Sequence, residues 1–196
     1  MVDVLLHHHI QGLTPGVHAF AEELRAAGHT VHLPDLFEGH TFDSIEDGFA
    51  HARSVGLERL RQRGEAAAEG LPAELVHAGI SFGVTIAQRL AQTRPGARGA
   101  LLLCSCLPVG EAGGAWPSGV PVQVHGKQDD AFFEEDLVAA RELVAEVADA
   151  ELFLYPGSEH LFLDSSLAAH DPAAAVQLTE RVLAFLDRLD PRAGVD

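Results

Sequence analysis

The sequence predicts one three-layer α/β/α domain over residues 1–196, built on a six-stranded, mostly parallel sheet. Two observations carry this. Short apolar runs of strand type alternate with amphipathic helical stretches along the whole chain, the pattern of parallel strands joined by right-handed crossovers. Length and composition agree, since 196 residues with 47% apolar side chains suit a single packed domain. No internal repeat, low-complexity tract or linker divides the chain.

The elements follow in order. Val2 to His8 reads as a buried strand. Thr14 then serves as a helix cap with Pro15 at the first helical position, and Val17, Phe20, Ala21 and Leu24 recur at helical spacing until Gly28. Thr30 to Leu33 is the second strand, and residues 42–69 are mostly helical. Glu74 to Ile80, Ala100 to Cys106, Val120 to His125 and Glu151 to Tyr155 supply four more strands. Helices are expected from Phe82 to about Gln92, from Glu134 to Val147 and from Pro172 to Leu189. A Gly/Pro-rich loop covers Pro108 to Gly119.

Charge and cysteine content exclude some partners. A net charge of −16 repels phosphate backbones and anionic lipid, which argues against nucleic acid and acidic membranes. No apolar stretch approaches the ~20 residues that cross a bilayer. No basic residue precedes Val4-Leu5-Leu6, which argues against a secretory signal. Cys104 and Cys106 lie two apart in an extended apolar run, too far apart and too parallel to bridge each other. Two reduced thiols suit a cytoplasmic protein. Lys127 is the only lysine, and Asp129 and Asp130 beside it oppose the lowered pKa that Schiff-base chemistry needs.

In a parallel sheet, ligands bind beyond the carboxyl ends of the strands. After the third strand comes Gly79-Ile80-Ser81-Phe82-Gly83, a G-x-S-x-G pentapeptide between a strand and a helix. A serine hydroxyl is too weakly acidic to attack a carbonyl unaided. It needs exposure on a sharp turn, a nearby base and donors for the oxyanion. The two glycines keep the crowded turn free of side chains. After the fifth strand the chain carries Asp129 and Asp130, and after the sixth it carries His160, in the chain order Ser…Asp…His that accompanies a serine on such a strand-to-helix elbow. His160 is then the base and Asp129 the residue that orients it, with Asp130 as the nearest rival.

These residues resemble the dienelactone hydrolase family of α/β-hydrolases over nearly the whole chain. The resemblance rests on Pro34-Asp35-Leu36-Phe37, on Gly79 to Gly83, on Gly126-x-x-Asp129 and on Gly157-Ser158-Glu159-His160-Leu161-Phe162. It implies a minimal α/β-hydrolase fold with strand order 2-1-3-4-5-6, and the short connection between the fourth and fifth strands leaves too few residues for a lid domain. It implies hydrolysis of small esters or lactones without a cofactor, by a triad matching Ser81, Asp129 and His160. It also implies an oxyanion hole from the main-chain N–H groups of Phe82 and Ile10. Three departures stand out. Serine replaces the founding members' cysteine, His9 stands where they hold a glutamate, and Asp164 stands where an arginine helps bind a substrate carboxylate. Asp164 would repel a carboxylate, which favours a neutral ester, lactone or thioester.

The remaining features rank below these. His9, Phe37, Trp116 and Phe162, with Phe132, are candidates for the pocket wall. His7-His8-His9 does not make a metal site, because alternate strand residues face opposite ways and no third ligand follows. Gly12 and Gly16 lack the dinucleotide-binding spacing. The competing functions are a thioesterase or acyltransferase, and a catalytically silent binding module of the same fold. The sequence leaves oligomeric state open.

Overall fold

The computed structural model describes residues 1–190 and 192. The single-domain reading extends to 196, and residues 191 and 193–196 lie outside the described residues. Six strands form one sheet: β1 (Asp3–His7), β2 (Thr30–His32), β3 (Leu75–Ile80), β4 (Gly99–Leu103), β5 (Val122–Lys127) and β6 (Ala150–Tyr155). The spatial order is β2-β1-β3-β4-β5-β6, as the family resemblance implies, and every pairing is parallel.

Side-chain alternation explains why helices cover both faces. Val4 and Leu6 of β1, Val76 and Ala78 of β3, and Leu101 and Leu103 of β4 share one buried cluster. That cluster includes residues of α1 (Pro15–Ala26) and α7 (Pro172–Arg188). The intervening residues face the other way. Leu5 and Leu75 meet α3 (Leu57–Ala66) and α4 (Val84–Thr93), while Leu102, Val122 and Val124 meet α4 and α6 (Glu134–Glu146). Each such leucine is fully buried and contributes roughly 1.5–3 kcal/mol relative to exposure.

The helix starts follow local chemistry. The Thr14 hydroxyl accepts the Val17 N–H at 3.3 Å, and Pro15 costs no hydrogen bond in the first turn. Asp171 caps α7 through the N–H groups of Ala173 and Ala174. The predicted helical stretch 42–69 is two helices, α2 (Ile45–Val55) and α3, because Gly56 between them adopts φ 98°. Between β4 and β5 the connection holds only the single turn α5 (Val109–Ala112), so no lid is built there. Among the described residues no helix is long and apolar enough to cross a membrane.

Candidate active site

Ser81 stands at the end of β3 with φ 48°, the left-handed conformation that a sharp strand-to-helix turn imposes. The glycines around it are obligatory for packing reasons. A Cβ on Gly79 would lie 2.4 Å from the carbonyl carbon of Gly83. A Cβ on Gly83 would lie 2.3 Å from the carbonyl oxygen of His7. The elbow thus presses against itself and against the end of β1, and that pressure presents the hydroxyl beyond the sheet. Phe82 lies in the 3-10 turn Ser81–Gly83 that leads into α4, where the first main-chain N–H groups have no partner within the helix.

Three side chains then form a hydrogen-bonded series. The Ser81 hydroxyl donates to His160 Nε2 at 2.7 Å, and His160 Nδ1–H donates to Asp130 Oδ2 at 2.6 Å. The carboxylate that His160 meets is therefore Asp130 and not Asp129, which corrects the sequence reading. The reason lies in the turn after β5. The strand continues through Lys127, and the Asp129 N–H donates to Gly157 O at 3.1 Å, leaving the Asp129 side chain exposed at the corner. The next residue is tucked under, and Asp130 is 2% exposed. Its other oxygen accepts the Phe132 N–H at 2.9 Å, so the carboxylate is fixed at both ends.

Lys127 helps set this turn. It is buried, with its ammonium 2.5 Å from Glu159 and 2.7 Å from Asp171 rather than paired to Asp129 or Asp130. Burial lowers its pKa, but the hydrogen bonds to Asp171 and Glu159 outweigh that and raise it overall. Lys127 is thereby held as a cation and joins the loop of Asp130 to the loop of His160.

Ser81 and His160 open into a cavity of about 190 Å³ walled by Ile10, Ile45, Phe49, Phe82, Thr85 and Phe132, with Cys104, Ser105 and Asp136 completing it. A second recess of about 390 Å³ shares Ile45, Phe132 and His160 with the first and carries Asp43 and Glu46. Neither recess is lined by lysine or arginine. Asp136 accepts hydrogen bonds from the Ser105 hydroxyl at 2.6 Å and the Cys106 N–H at 3.2 Å. Cys104 and Cys106 are unpaired, and burial raises both thiol pKa values, to about 12 for Cys106 and in the same direction for Cys104. That shift disfavours the thiolate, which is the nucleophilic form.

The two main-chain donors predicted for the oxyanion, Phe82 and Ile10, both border the serine cavity. The four predicted wall residues do not. Phe37 is buried beneath the site, its ring 6.2 Å from that of Phe82. Phe162 is buried against Tyr155, and Trp116 donates to Val120 O at 2.7 Å and packs on the cluster of Val122 and Val124. His9 is wholly buried with Asp164, at 2.7 Å, so neither side chain reaches substrate. Phe132 is the one candidate aromatic that lines the cavity. Sequence reasoning missed Ile45, Phe49 and Asp136. Ile45 and Phe49 are spaced i,i+4 on α2, and that helix lies close because Gly48 faces the Ile10 carbonyl, where a Cβ would be 2.1 Å from the oxygen.

The consecutive histidines of β1 turn to different partners. His7 donates to Gly64 O on α3, His8 Nδ1–H donates to His9 O, and His8 Nε2 accepts the Leu36 N–H at 3.0 Å. Among the described residues no group of three or more histidine, cysteine or acidic side chains is disposed to hold a metal ion.

The model of the Dienelactone hydrolase family matches residues 2–189. The chain belongs to that family. It is accordingly a hydrolase acting on esters, and solved relatives share its fold at low identity. A dienelactone hydrolase-like promiscuous phosphotriesterase from metagenomic libraries is 18% identical, with TM-score 0.74 over 96% of this chain and 87% of that one. The dienelactone hydrolase of Anabaena variabilis is 16% identical, with TM-score 0.68 over 96% and 86%. Thermogutta terrifontis esterase 2, solved after phosphorylation by paraoxon, is 18% identical, with TM-score 0.62 over 96% and 83%. No curated protein matches the sequence significantly.

Proposed function

We propose that this family member hydrolyses small carboxylic esters or lactones through an acyl-enzyme on Ser81. His160 takes the serine proton and returns it to the leaving alcohol, and Asp130 orients the ring and stabilises its charged form. The observation that carries this is the unbroken series Ser81–His160–Asp130, with contacts of 2.7 and 2.6 Å, opening into a cavity. The main-chain N–H groups of Phe82 and Ile10 receive the developing oxyanion.

Cavity size and lining narrow the substrate. A volume of about 190 Å³ lined by Ile10, Ile45, Phe49 and Phe82 suits a short apolar acyl group. Asp136 inside it, with Asp43 and Glu46 in the adjoining recess and no cation in either, disfavours a substrate carboxylate. The charge selectivity first assigned to Asp164 thus passes to Asp136. The recesses are open and no lid covers them, which favours water as the acceptor over a second substrate.

The experiment is covalent labelling. A phosphotriester of the paraoxon class, which phosphorylates the Thermogutta esterase, should phosphorylate this chain once, and peptide mapping should place the group on Ser81. Short-chain ester hydrolysis should disappear in step with labelling. Labelling elsewhere, or full activity in the labelled protein, would exclude Ser81 as nucleophile.

A further inference from the structure

His9 and Asp164 lie outside the cavity yet form a polar network at its edge. His9 Nδ1 accepts the Gln11 N–H at 3.2 Å, which leaves Nε2–H to donate to Asp164 Oδ2 at 2.7 Å. Asp164 also accepts from the Thr14 hydroxyl, from the Ser166 N–H at 2.9 Å and from the Ser166 hydroxyl at 2.6 Å. Burial would raise the pKa of this carboxyl, but the hydrogen bonds from His9, Ser166 and Thr14 prevail and hold it at about 2. A carboxylate that is 1% exposed and receives four hydrogen bonds is an anchor.

The anchor joins two working segments. Asp164 sits four residues beyond His160, and its own N–H donates to Leu161 O at 3.0 Å, so it belongs to the turn that carries the base. Its histidine partner flanks Ile10 on one side and reaches across to the Gln11 N–H on the other. Ile10 is therefore held by its two neighbours, while Gly48 of α2 closes on its carbonyl. The Ile10 N–H has no hydrogen-bond partner among the described residues.

We propose that His9 and Asp164 are positioning residues: their buried hydrogen bond orients the Ile10 N–H toward the oxyanion and ties it to the loop of His160. This rests on the functional reading above. Donors fixed before reaction cost no reorganisation in the transition state, whereas a donor free to swing does. Removing one such donor outright costs about 10²–10³-fold in kcat. Loosening it should cost less, about 10–100-fold.

The test measures kcat, KM, thermal stability and affinity for a trifluoromethyl ketone, which forms a tetrahedral adduct on the active serine. Asp164→Asn keeps size and an acceptor but removes the charge. It should lower kcat about 10–100-fold with KM within about twofold, and weaken the ketone by the same factor as kcat. A role confined to stability would lower Tm and leave kcat and ketone affinity unchanged well below the transition, which would overturn the proposal. His9→Asn removes the same link from the other side and serves if Asp164→Asn does not fold. Its kcat should fall in the same range, and an unaltered kcat counts equally against the proposal. A wild-type protein that neither hydrolyses esters nor is labelled at Ser81 would instead sink the functional reading beneath it.

Discussion

Two buried aspartate–histidine pairs stand near the end of the sheet, and their geometry is nearly the same. Asp130 meets His160 at 2.6 Å, and Asp164 meets His9 at 2.7 Å. What differs is the far ring nitrogen. In His160 it accepts from the Ser81 hydroxyl beside an open cavity, and in His9 it accepts from the main-chain N–H of Gln11 in closed surroundings. The first ring has a proton to collect and a path by which to return it. The second has neither, because an amide proton is not acidic enough to leave. An aspartate–histidine pair acquires its role from its third member, and sequence spacing alone does not reveal that member.

The sharpest way to break this comparison is to remove the charge behind each ring. Asp130→Asn should retain the fold but lower kcat by roughly 10³–10⁴-fold, since the amide favours the wrong histidine tautomer. Asp129→Asn, at an exposed corner with its side chain away from His160, should stay within about threefold of wild type. Steady-state kinetics on one activated ester distinguishes the two carboxylates. Comparable losses in both variants, or a loss only in Asp129→Asn, would show that the turn after β5 rearranges when substrate binds.

That turn also shows where sequence reading stops. The strands, the elbow and His160 are legible because each has a local cause: apolar runs, two glycines with no room for a Cβ, and a loop after the last strand. The acid was misplaced by one residue because its register is set from a distance. The Asp129 N–H pairs with Gly157, and Lys127 pairs with Glu159 and Asp171, contacts spanning about thirty or more positions. The pocket wall was misread for a related reason. Phe37 and Phe162 are as much at home in a core as in a cleft, and only the docking of α2 through Gly48 brings Phe49 to Ser81. The sequence reading turns Asp164 toward the substrate because nothing local announces its partner 155 positions away.

A second comparison sets the buried histidines against the buried carboxylate. Burial lowers the pKa of His7 and His8 to about 4 and of His77 and His125 to about 3. The unfolded chain protonates these rings near 6.5, so it binds more protons than the native protein between pH 6.5 and about 4. Stability is therefore complete above pH 6.5 and falls as pH drops through that window, by up to ~1.4 kcal/mol per pH unit for each histidine. Asp164 works in a lower window. Its carboxyl lies at about 2 against 3.8 unperturbed, so its contribution is present above 3.8 and lost as pH falls toward 2. Urea unfolding from pH 7.5 to 4.5 should show the first loss. His77, whose ring nitrogens have no partner among the described residues, is the residue to replace. His77→Leu should flatten the slope and cost little at pH 7.5, because an apolar side chain removes a buried polar group from the sheet. An unchanged slope would place the acid sensitivity elsewhere.

The smallest expected effect concerns the charge that lines the catalytic cavity. Asp136 lines the serine cavity, whereas Asp164, with its charge fully engaged, does not. A substrate carboxylate about 6 Å from Asp136 would meet roughly 2–3 kcal/mol of repulsion at an effective dielectric of ~20. Solvent in the open cavity and salt reduce that, which leaves about a 3–10-fold preference for a neutral ester over its anionic analogue in kcat/KM. Asp136→Asn removes the charge but keeps an oxygen to accept from the Ser105 hydroxyl and the Cys106 N–H, so the wall should stay in place. The preference should then narrow, chiefly through KM, and raising the salt should narrow it in the wild type but hardly in the variant. Measuring both substrates with both proteins at two ionic strengths gives the answer. A preference that survives Asp136→Asn unchanged would move the discrimination to Asp43 and Glu46 in the adjoining recess, whose replacement by amides is the next comparison to make.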